Sequence, residues 1–351
     1  MKKLTAESID LLRRMIAVPS ESFKEEAVAG MLFETLSGWG LAPVRYGNNI
    51  VCTCSPYDPE KKTLVLDAHI DTVPAASGYT RDPYDAGNDD NTVYGLGSND
   101  DGGSVVAMIA AFRYFYDKRN PLNLVLSLSA EEEKSGKQGA TLLFGSDGPA
   151  AVRDADWVII GEPTGMKAAI RERGLLVLDG LAEGMSGHAA RNEGINALYI
   201  ALEDIEKLRK YDKERLTVTQ INAGTAHNVI PGKCNFVVDI RPEGGRSNEE
   251  ILKELQGLCK SRLTPRNLAN RSSATYEGSP LLRTLEETGI ETFASPTTSN
   301  WMRTNKDAIK MGPGESSRSH GADEYILSSE IENGIEKYIE FIGKFYGNIV
   351  E

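Results

Sequence analysis

The chain reads as an α/β protein, a mostly parallel sheet with helices on both faces, into which a smaller βαββαβ unit is inserted. Three observations carry this reading. Apolar runs at 64–69, 122–130 and 157–160 are short, continuous and bounded by polar residues, the pattern of strands buried on both faces. A segment of helical periodicity, 101–116, lies between the first two runs, and strands alternating with helices imply parallel pairing. From residue 175 the order changes to strand, helix, two strands, helix, strand, which is the ferredoxin-like arrangement.

Taken in order, residues 8–18 and 23–39 place apolar side chains at helical spacing, and Gly40 stops the second helix. Residues 41–46 and 49–54 form a strand pair around Gly47-Asn48. The helix 101–116 starts with small residues and aligns Val105, Ile109 and Phe112 on one face. In the inserted unit, strands are expected at 175–182, 216–223, 233–240 and 272–277, and helices at 196–208 and 248–260. Gly244-Gly245-Arg246-Ser247 reads as a turn into a helix cap and not as a linker. The α/β pattern resumes near Ser279 and closes with a helix at 328–346, so the expected domains are 1–173 with 279–351, and 174–278.

Bulk properties narrow the partners. A length of 351 residues favours two domains, and 40% hydrophobic with 26% charged residues is the balance of an ordinary globular protein. A net charge of -12 argues against nucleic acid and anionic membrane as partners. No apolar stretch approaches a membrane span. The N-terminal residues turn acidic and amphipathic at once and lack a signal-peptide core, so a cytoplasmic location is expected. Cys52, Cys54, Cys234 and Cys259 form no CxxC pair and read as reduced structural thiols, the first two on one face of a strand.

The chemistry concentrates at the ends of the apolar runs. His69 closes one run, Asp71 follows two residues later, and Pro74 stops the strand; a ligand histidine beside its own orienting carboxylate is how many metal sites begin. Glu131-Glu132-Glu133 follow the run 122–130, Glu162 follows 157–160, and Asp100 stands at the mouth of the helix 101–116. In open α/β sheets, ligands bind beyond the carboxyl ends of the strands, so parallel strands would bring all of these to one rim. Mixed imidazole and carboxylate donors suit Zn²⁺ and also accommodate Co²⁺ or Mn²⁺. Two histidines, with His320 as the second, and three carboxylates hold two ions if one carboxylate bridges, and Asp100 is the best placed to do so. Of the adjacent glutamates, one can ligate while the other faces the attacking water as base.

Seven strings taken together resemble a known family: His69-Ile70-Asp71-Thr72-Val73-Pro74, Gly95-Leu96-Gly97-Ser98-Asn99-Asp100, Glu131-Glu132-Glu133-Lys134, Gly161-Glu162-Pro163-Thr164, Ser186-Gly187-His188-Ala189, Asn228-Val229-Ile230-Pro231-Gly232, and Gly312-Pro313-Gly314 leading to His320. The family is that of the co-catalytic zinc amidohydrolases and peptidases, which includes acetylornithine deacetylase, succinyl-diaminopimelate desuccinylase and carboxypeptidase G. The resemblance covers nearly the whole chain. It implies two Zn²⁺, one held by His69 and Glu162, the other by Glu133 and His320, with Asp100 bridging. It makes Glu132 the catalytic glutamate and Asp71 the partner of His69, and implies a cis peptide bond between Asp100 and Asp101. It gives the inserted domain a role as lid and homodimer surface, with His188 as oxyanion stabiliser supplied by the partner subunit. Arg241 and Asn228, with Gly312 and Gly314, are then candidates for substrate binding. Three positions depart from the family pattern: Gly102 where Lys is frequent, Glu131 where Asp is usual, and Asn300 where Asp often follows Ser299.

The tail from Gly312 to Glu324 resembles acetylornithine deacetylase and lysine-pathway relatives more than the desuccinylase. The expected activity is therefore amide hydrolysis of an N-acetyl or N-succinyl amino acid of the ornithine or citrulline type, in arginine biosynthesis. Desuccinylation of diaminopimelate and cleavage of di- or tripeptides are the enzymatic rivals. A silent binding protein on the same fold would require a lost ligand or base, and none is missing. A succinyl tail would need a cation, for which Arg303 and Arg318 are candidates.

Overall fold

Apolar residues divide the first part of the chain between the two faces of one sheet, and the computed structural model, which describes residues 1–191, 193–243 and 246–350, shows how. Gly244 and Gly245 of the expected turn lie outside the described residues. The chain forms two units, Met1–Arg171 with Ala274–Ala294 and Ser299–Glu351, and Glu172–Ser273 with Ser295–Thr298. The last of these stretches packs with the second unit although it lies inside 279–351.

The first unit opens with α1 (Lys2–Ile16), α2 (Glu26–Gly38), β1 (Pro43–Tyr46), β2 (Asn49–Thr53) and β3 (Thr63–His69). It continues with β4 (Thr92–Tyr94), α3 (Gly102–Phe115), β5 (Asn123–Ser129), the short α4 (Ala140–Leu143) and α5 (Ala150–Arg153), and β6 (Trp157–Ile160). β7 (Ala168–Glu172) leads into the second unit, built from β8 (Leu176–Glu183), α6 (Ala197–Arg209), β9 (Arg215–Ala223), β10 (Lys233–Arg241), α7 (Asn248–Leu258) and β11 (Arg262–Pro265). The return passes through β12 (Ser273–Ala274), α8 (Pro280–Glu287), β13 (Thr292–Ser295), β14 (Asp307–Lys310), β15 (Tyr325–Leu327) and α9 (Ser328–Val350).

The large sheet runs β1-β2-β5-β3-β6-β14-β7-β12, with β13 on β7. Its centre, β5-β3-β6-β14, is parallel, and the flanking β2 and β7 are antiparallel. The register sets His69 opposite Ser129, and Ile160 opposite both Asp67 and Lys310, so the carboxyl ends of four strands finish together. Every residue of β3 and β5 is buried, which is why these strands read as continuous apolar runs. Leu64, Leu66, Leu126 and Ile159 pack in one core with Leu12, Phe112 and Phe341 of the covering helices. Val65, Val125, Val158 and Ala308 face the other way, onto Leu143, Val152 and Trp301.

The second unit is the ferredoxin-like sheet, ordered β11-β8-β10-β9 and antiparallel throughout. Leu176, Leu178, Phe236, Val238 and Ile240 alternate into a core with Ala201 and Leu208 of α6 and Ile251 and Leu255 of α7. One expected strand is corrected here. The fourth strand is β11, not 272–277, of which only Ser273–Ala274 is strand, and that in the large sheet. β11 is an edge strand ending in Pro265, with Leu263 its one buried residue, so it carries little sequence signal.

All four cysteines are unpaired, and Cys52 and Cys54 share one core, on one side of the sheet. No described helix is long and apolar enough to cross a membrane.

Candidate metal centre

Where the parallel strands end, seven titratable side chains converge: His69, Asp71, Asp100, Glu132, Glu133, Glu162 and His320. His69 is the last residue of β3 and is buried. Its Nδ1 lies 2.9 Å from the Asp71 carbonyl oxygen and 3.5 Å from Asp71 Oδ1, and its Nε2 lies 3.1 Å from Asp100 Oδ1. Nδ1–H donating to Asp71 leaves the lone pair of Nε2 available to a metal. Burial opposes the charged imidazole, but its hydrogen bonds with Asp100 and Asp71 outweigh this and hold its pKa well above the usual value.

Asp71 organises both sides of the site. Its Oδ1 accepts the Glu132 N–H at 3.0 Å, and its Oδ2 accepts the Glu133 N–H at 3.1 Å and the Ser22 hydroxyl at 2.7 Å. One buried carboxylate thus fixes a histidine and the turn that presents two glutamates. That turn enters through Glu131 at φ 59, with the Glu131 N–H donating to buried Glu25 at 3.3 Å.

Asp100 is held from behind by Glu324. The buried Glu324 carboxylate accepts N–H groups of Asn99 and Asp100, both at 2.9 Å, and of Gly97 at 3.2 Å. The Asp100–Asp101 peptide bond is cis, as the resemblance implied. The Gly102 that replaces the family's frequent Lys has a steric cause: a Cβ there would stand 2.3 Å from the Gly97 carbonyl oxygen and 2.5 Å from Leu12 Cδ1. His320, at φ 61, places Nε2 3.0 Å from Glu133 Oε1 and 3.6 Å from Asp100 Oδ2. The Glu133 hydrogen bond pushes its pKa up to about 9.

Donor atoms of His69, Glu132 and Glu162 lie within 4.8 Å of one another, and so do those of His69, Asp100 and Glu133. Each neighbouring glutamate belongs to one group. The donor chemistry fits divalent ions of the zinc type. So does the charge: burial, then Asp100, pushes the Glu162 carboxyl far above its usual range, with Lys310 opposing. Burial, reinforced by the charges of Glu133, Asp71 and Asp100 against that of His69, raises Glu132 to about 8. Buried carboxylates that repel one another are stabilised by bound cations.

The sequence missed the supports of this site. Ser22, Glu25 and Glu324 sit outside any metal-ligand spacing and are brought in only by tertiary contacts. Asp67 is a fourth: fully buried on β3, it accepts from Ser127 at 2.6 Å, Ser129 at 3.3 Å and Asn300 at 3.2 Å. Asn300, where the family often has Asp, is thereby explained, since a carboxylate there would face another instead of donating to it. Of the two candidate cations for a succinyl tail, Arg318 is committed to Glu330 through contacts of 2.7 and 3.1 Å, whereas burial lowers the pKa of Arg303, opposed by the charge of Glu132.

Gly312 and Gly314 are close-packing positions. A Cβ on Gly312 would stand 2.2 Å from Ser104 Oγ, and one on Gly314 would stand 2.4 Å from Asn99 Oδ1. His188, Asn228 and Arg241 belong to the second unit. His188 and Asn228 are exposed, and His188 Nδ1 accepts the Ala190 N–H at 3.2 Å. The Arg241 guanidinium is engaged by Asp239, with Nε to Oδ1 at 2.8 Å and Nη2 to Oδ2 at 3.2 Å.

Comparison with known proteins agrees with this geometry. Residues 65–344 match the model of peptidase family M20/M25/M40, and the chain belongs to that family. It is 29% identical over 389 residues to an acetylornithine deacetylase of Salmonella agona, covering 98% of this chain and 99% of that one. It is 28% identical over 349 residues to a protein of Pyrobaculum aerophilum named for LysW-lysine and LysW-ornithine hydrolysis, covering 92% and 93%. Among solved structures it is similar to Bacillus subtilis YXEP, described as a dinuclear metal binding peptidase, with a TM-score of 0.75, 13% identity and coverage of 100% and 99%. The chain is a metal-dependent hydrolase of amide bonds.

Proposed function

We propose that this enzyme removes the acyl group, acetyl or succinyl, from an N-acyl amino acid of the ornithine or citrulline type, in arginine biosynthesis, as a two-zinc hydrolase. The observation that carries the reading is the gathering of His69, Asp100, Glu133, Glu162 and His320 about Glu132 at one sheet edge. His69 and Glu162 would hold one ion and Glu133 and His320 the other, with Asp100 shared between them; Co²⁺ and Mn²⁺ would suit the same donors. When bound, the ions polarise the amide carbonyl and bring the ionisation of water towards neutral pH. Glu132 takes a proton from the attacking water and delivers it to the amine nitrogen as the C–N bond breaks. Without metal, chiefly burial raises this carboxyl to about 8, and the charge of bound ions would draw it down towards the ionised form that accepts the proton. Asp71 keeps His69 and the glutamate turn in place. His188 stabilises the oxyanion, Asn228 holds the carbonyl or carboxylate, Arg241 lends its charge to carboxylate binding, and Gly312 and Gly314 contribute to substrate binding.

The active unit is a homodimer formed through the second unit, which acts as the lid, and the His188 in use is that of the partner subunit. Two observations support a second copy: β9 is an edge strand, and Met185, Ile195, Tyr199, Leu202, Ile221 and Val229 are all exposed large apolar side chains of this unit. Mixing inactive His188→Ala with inactive Glu132→Ala subunits tests the sharing: heterodimers that recover activity support it, and heterodimers that form without recovering activity refute it.

Ornithine stands in the names of both relatives, which supports a basic amino acid, or its carbamoylated form, as the product. Kinetics on acetyl- and succinyl-ornithine, the citrulline counterparts, succinyl-diaminopimelate and dipeptides test the substrate. An acyl-ornithine or acyl-citrulline should show the highest kcat/KM; preference for diaminopimelate or dipeptides would overturn the assignment.

A further inference from the structure

Residues 21–24 of the first unit form a tight turn, closed by the Lys24 N–H donating to the Glu21 carbonyl oxygen at 2.8 Å. Its third residue is Phe23, at φ 73. Glycine enters that left-handed region freely, whereas a bulky side chain is strained there. Hydrogen bonds on either side hold the residue in place. Ser22 gives its N–H to the Thr72 carbonyl oxygen at 3.1 Å and its hydroxyl to Asp71 Oδ2 at 2.7 Å. Glu25 Oε1 accepts the Phe23 N–H at 2.6 Å and the Glu131 N–H at 3.3 Å. The turn is thus tied on one side to the segment after His69 and on the other to the turn that presents Glu132 and Glu133. Ser22 and Glu25 are buried, yet Phe23 is 60% exposed and joins no apolar core of the described residues. A lone exposed aromatic is ordinary. An aromatic that the fold does not pack, held in strained backbone by the scaffold of a metal centre, points to a use, since such strain gathers at functional sites.

We propose that the Phe23 ring is an apolar platform at the rim of the metal centre, on which the methylene stem of the substrate lies, and that Phe23 is therefore a specificity-determining residue. The identity of the stem rests on the substrate proposed above, since ornithine and citrulline carry three methylenes between Cα and the polar end, and a succinyl group carries two. Each methylene moved from water onto an apolar face gains up to about fourfold in binding. The same ring face attracts the ammonium group of an ornithine side chain. The anchoring suits this role: the groups that fix the Phe23 turn, Asp71 and Glu25, also fix the glutamate turn, so the platform keeps its place relative to Glu132 and Glu133.

The test uses the full-length zinc-loaded enzyme, as wild type, Phe23→Gly, Phe23→Leu and the control Val44→Ala, an exposed apolar residue of β1. Two ratios of kcat/KM are measured. Acetylnorvaline over acetylalanine lengthens the side chain by two methylenes, and butyrylalanine over acetylalanine lengthens the acyl group by two. At least one ratio should be on the order of ten in wild type, fall towards one in Phe23→Gly and lie between in Phe23→Leu, while Val44→Ala matches wild type. Loss of the first ratio assigns the side-chain stem to the platform; loss of the second assigns the acyl stem. Ratios that are unchanged in Phe23→Gly, or that already stand near one in wild type, overturn the platform. Each ratio compares two substrates on one preparation, so a change in the folded fraction cancels. Should wild type cleave none of these amides, the substrate reading fails on its own. The platform is then judged by calorimetry with norvaline and alanine. Norvaline binding tighter than alanine in wild type but not in Phe23→Gly supports it, and absent binding or an unaltered difference overturns it.

Discussion

In the first unit, β3, β5 and β6 are buried along their whole length and carry their working charges just past their carboxyl ends, whereas in the second unit β9 and β10 alternate and carry charges along an open face. The consequences differ. Past the ends of the parallel strands, Asp100, Glu132, Glu133 and Glu162 crowd together with few cations to answer them, and burial and mutual repulsion raise Glu132 and Glu162. On the open face, Arg266 meets Asp179, Arg241 meets Asp239, and the charges mostly cancel in pairs. Carboxylates go unanswered in the first unit while most charges find a partner in the second, so imbalance, and not the number of charges, marks the candidate site.

Removing the answering cations should have the largest effect. Dialysis against a chelator is expected to abolish activity, and Zn²⁺, Co²⁺ or Mn²⁺ to restore it; activity that survives in metal-free protein would break the comparison at its base. Next comes Glu324, whose carboxylate holds three N–H groups of the Asp100 loop. Glu324→Ala strands those donors at a cost of about 1–3 kcal/mol each. It should weaken metal binding at least tenfold, with Glu324→Gln, which keeps one acceptor oxygen, falling between. Unchanged metal affinity in both variants would show that the loop holds itself.

Asp67 offers a pH test. Burial raises its carboxyl from 3.8 to about 6, despite hydrogen bonds from Ser127, Asn300 and Ser129. Between these values the folded chain keeps a proton that the unfolded chain has released, so the contribution of Asp67 to stability falls as pH rises through this window and stays low above it. The stability of metal-free Asp67→Asn relative to metal-free wild type should therefore climb from pH 4 to 6 and level off beyond; urea melts at several pH values would contradict this if the difference were flat. The smallest effect is expected on the open face, where Arg266→Ala breaks a half-exposed pair with Asp179 and should lower stability only slightly. A larger loss would mean that these pairs stabilise the second unit far more than exposed pairs usually do.

How much of this was legible in the sequence follows the same division. β3, β5 and β6 announce themselves because strands buried on both faces must be apolar throughout, and the candidate ligands stand where those runs stop. β4, β7, β13, β14 and β15 are three to five residues long and were not read, since such lengths show no periodicity. Motif strings reach the donors, Glu132 and Asp71. They do not reach Glu25, Glu324 or Asp67, whose roles arise from contacts between residues 106, 224 and 60 positions apart. Arg241 was legible as a candidate for substrate binding, but its engagement with Asp239, two residues back on the same face of the same strand, shows only in the folded side chains.

The central claim is that, of two adjacent glutamates on one turn, Glu133 holds metal and Glu132 moves the proton. Zinc content and kcat of Glu132→Ala and Glu133→Ala, measured side by side, test it most directly. Glu132→Ala should keep two zincs per chain with kcat down roughly a hundredfold to ten-thousandfold, and Glu133→Ala should lose a zinc. A Glu132→Ala protein that loses a zinc, beside a Glu133→Ala protein that keeps both, would contradict it and exchange the two roles.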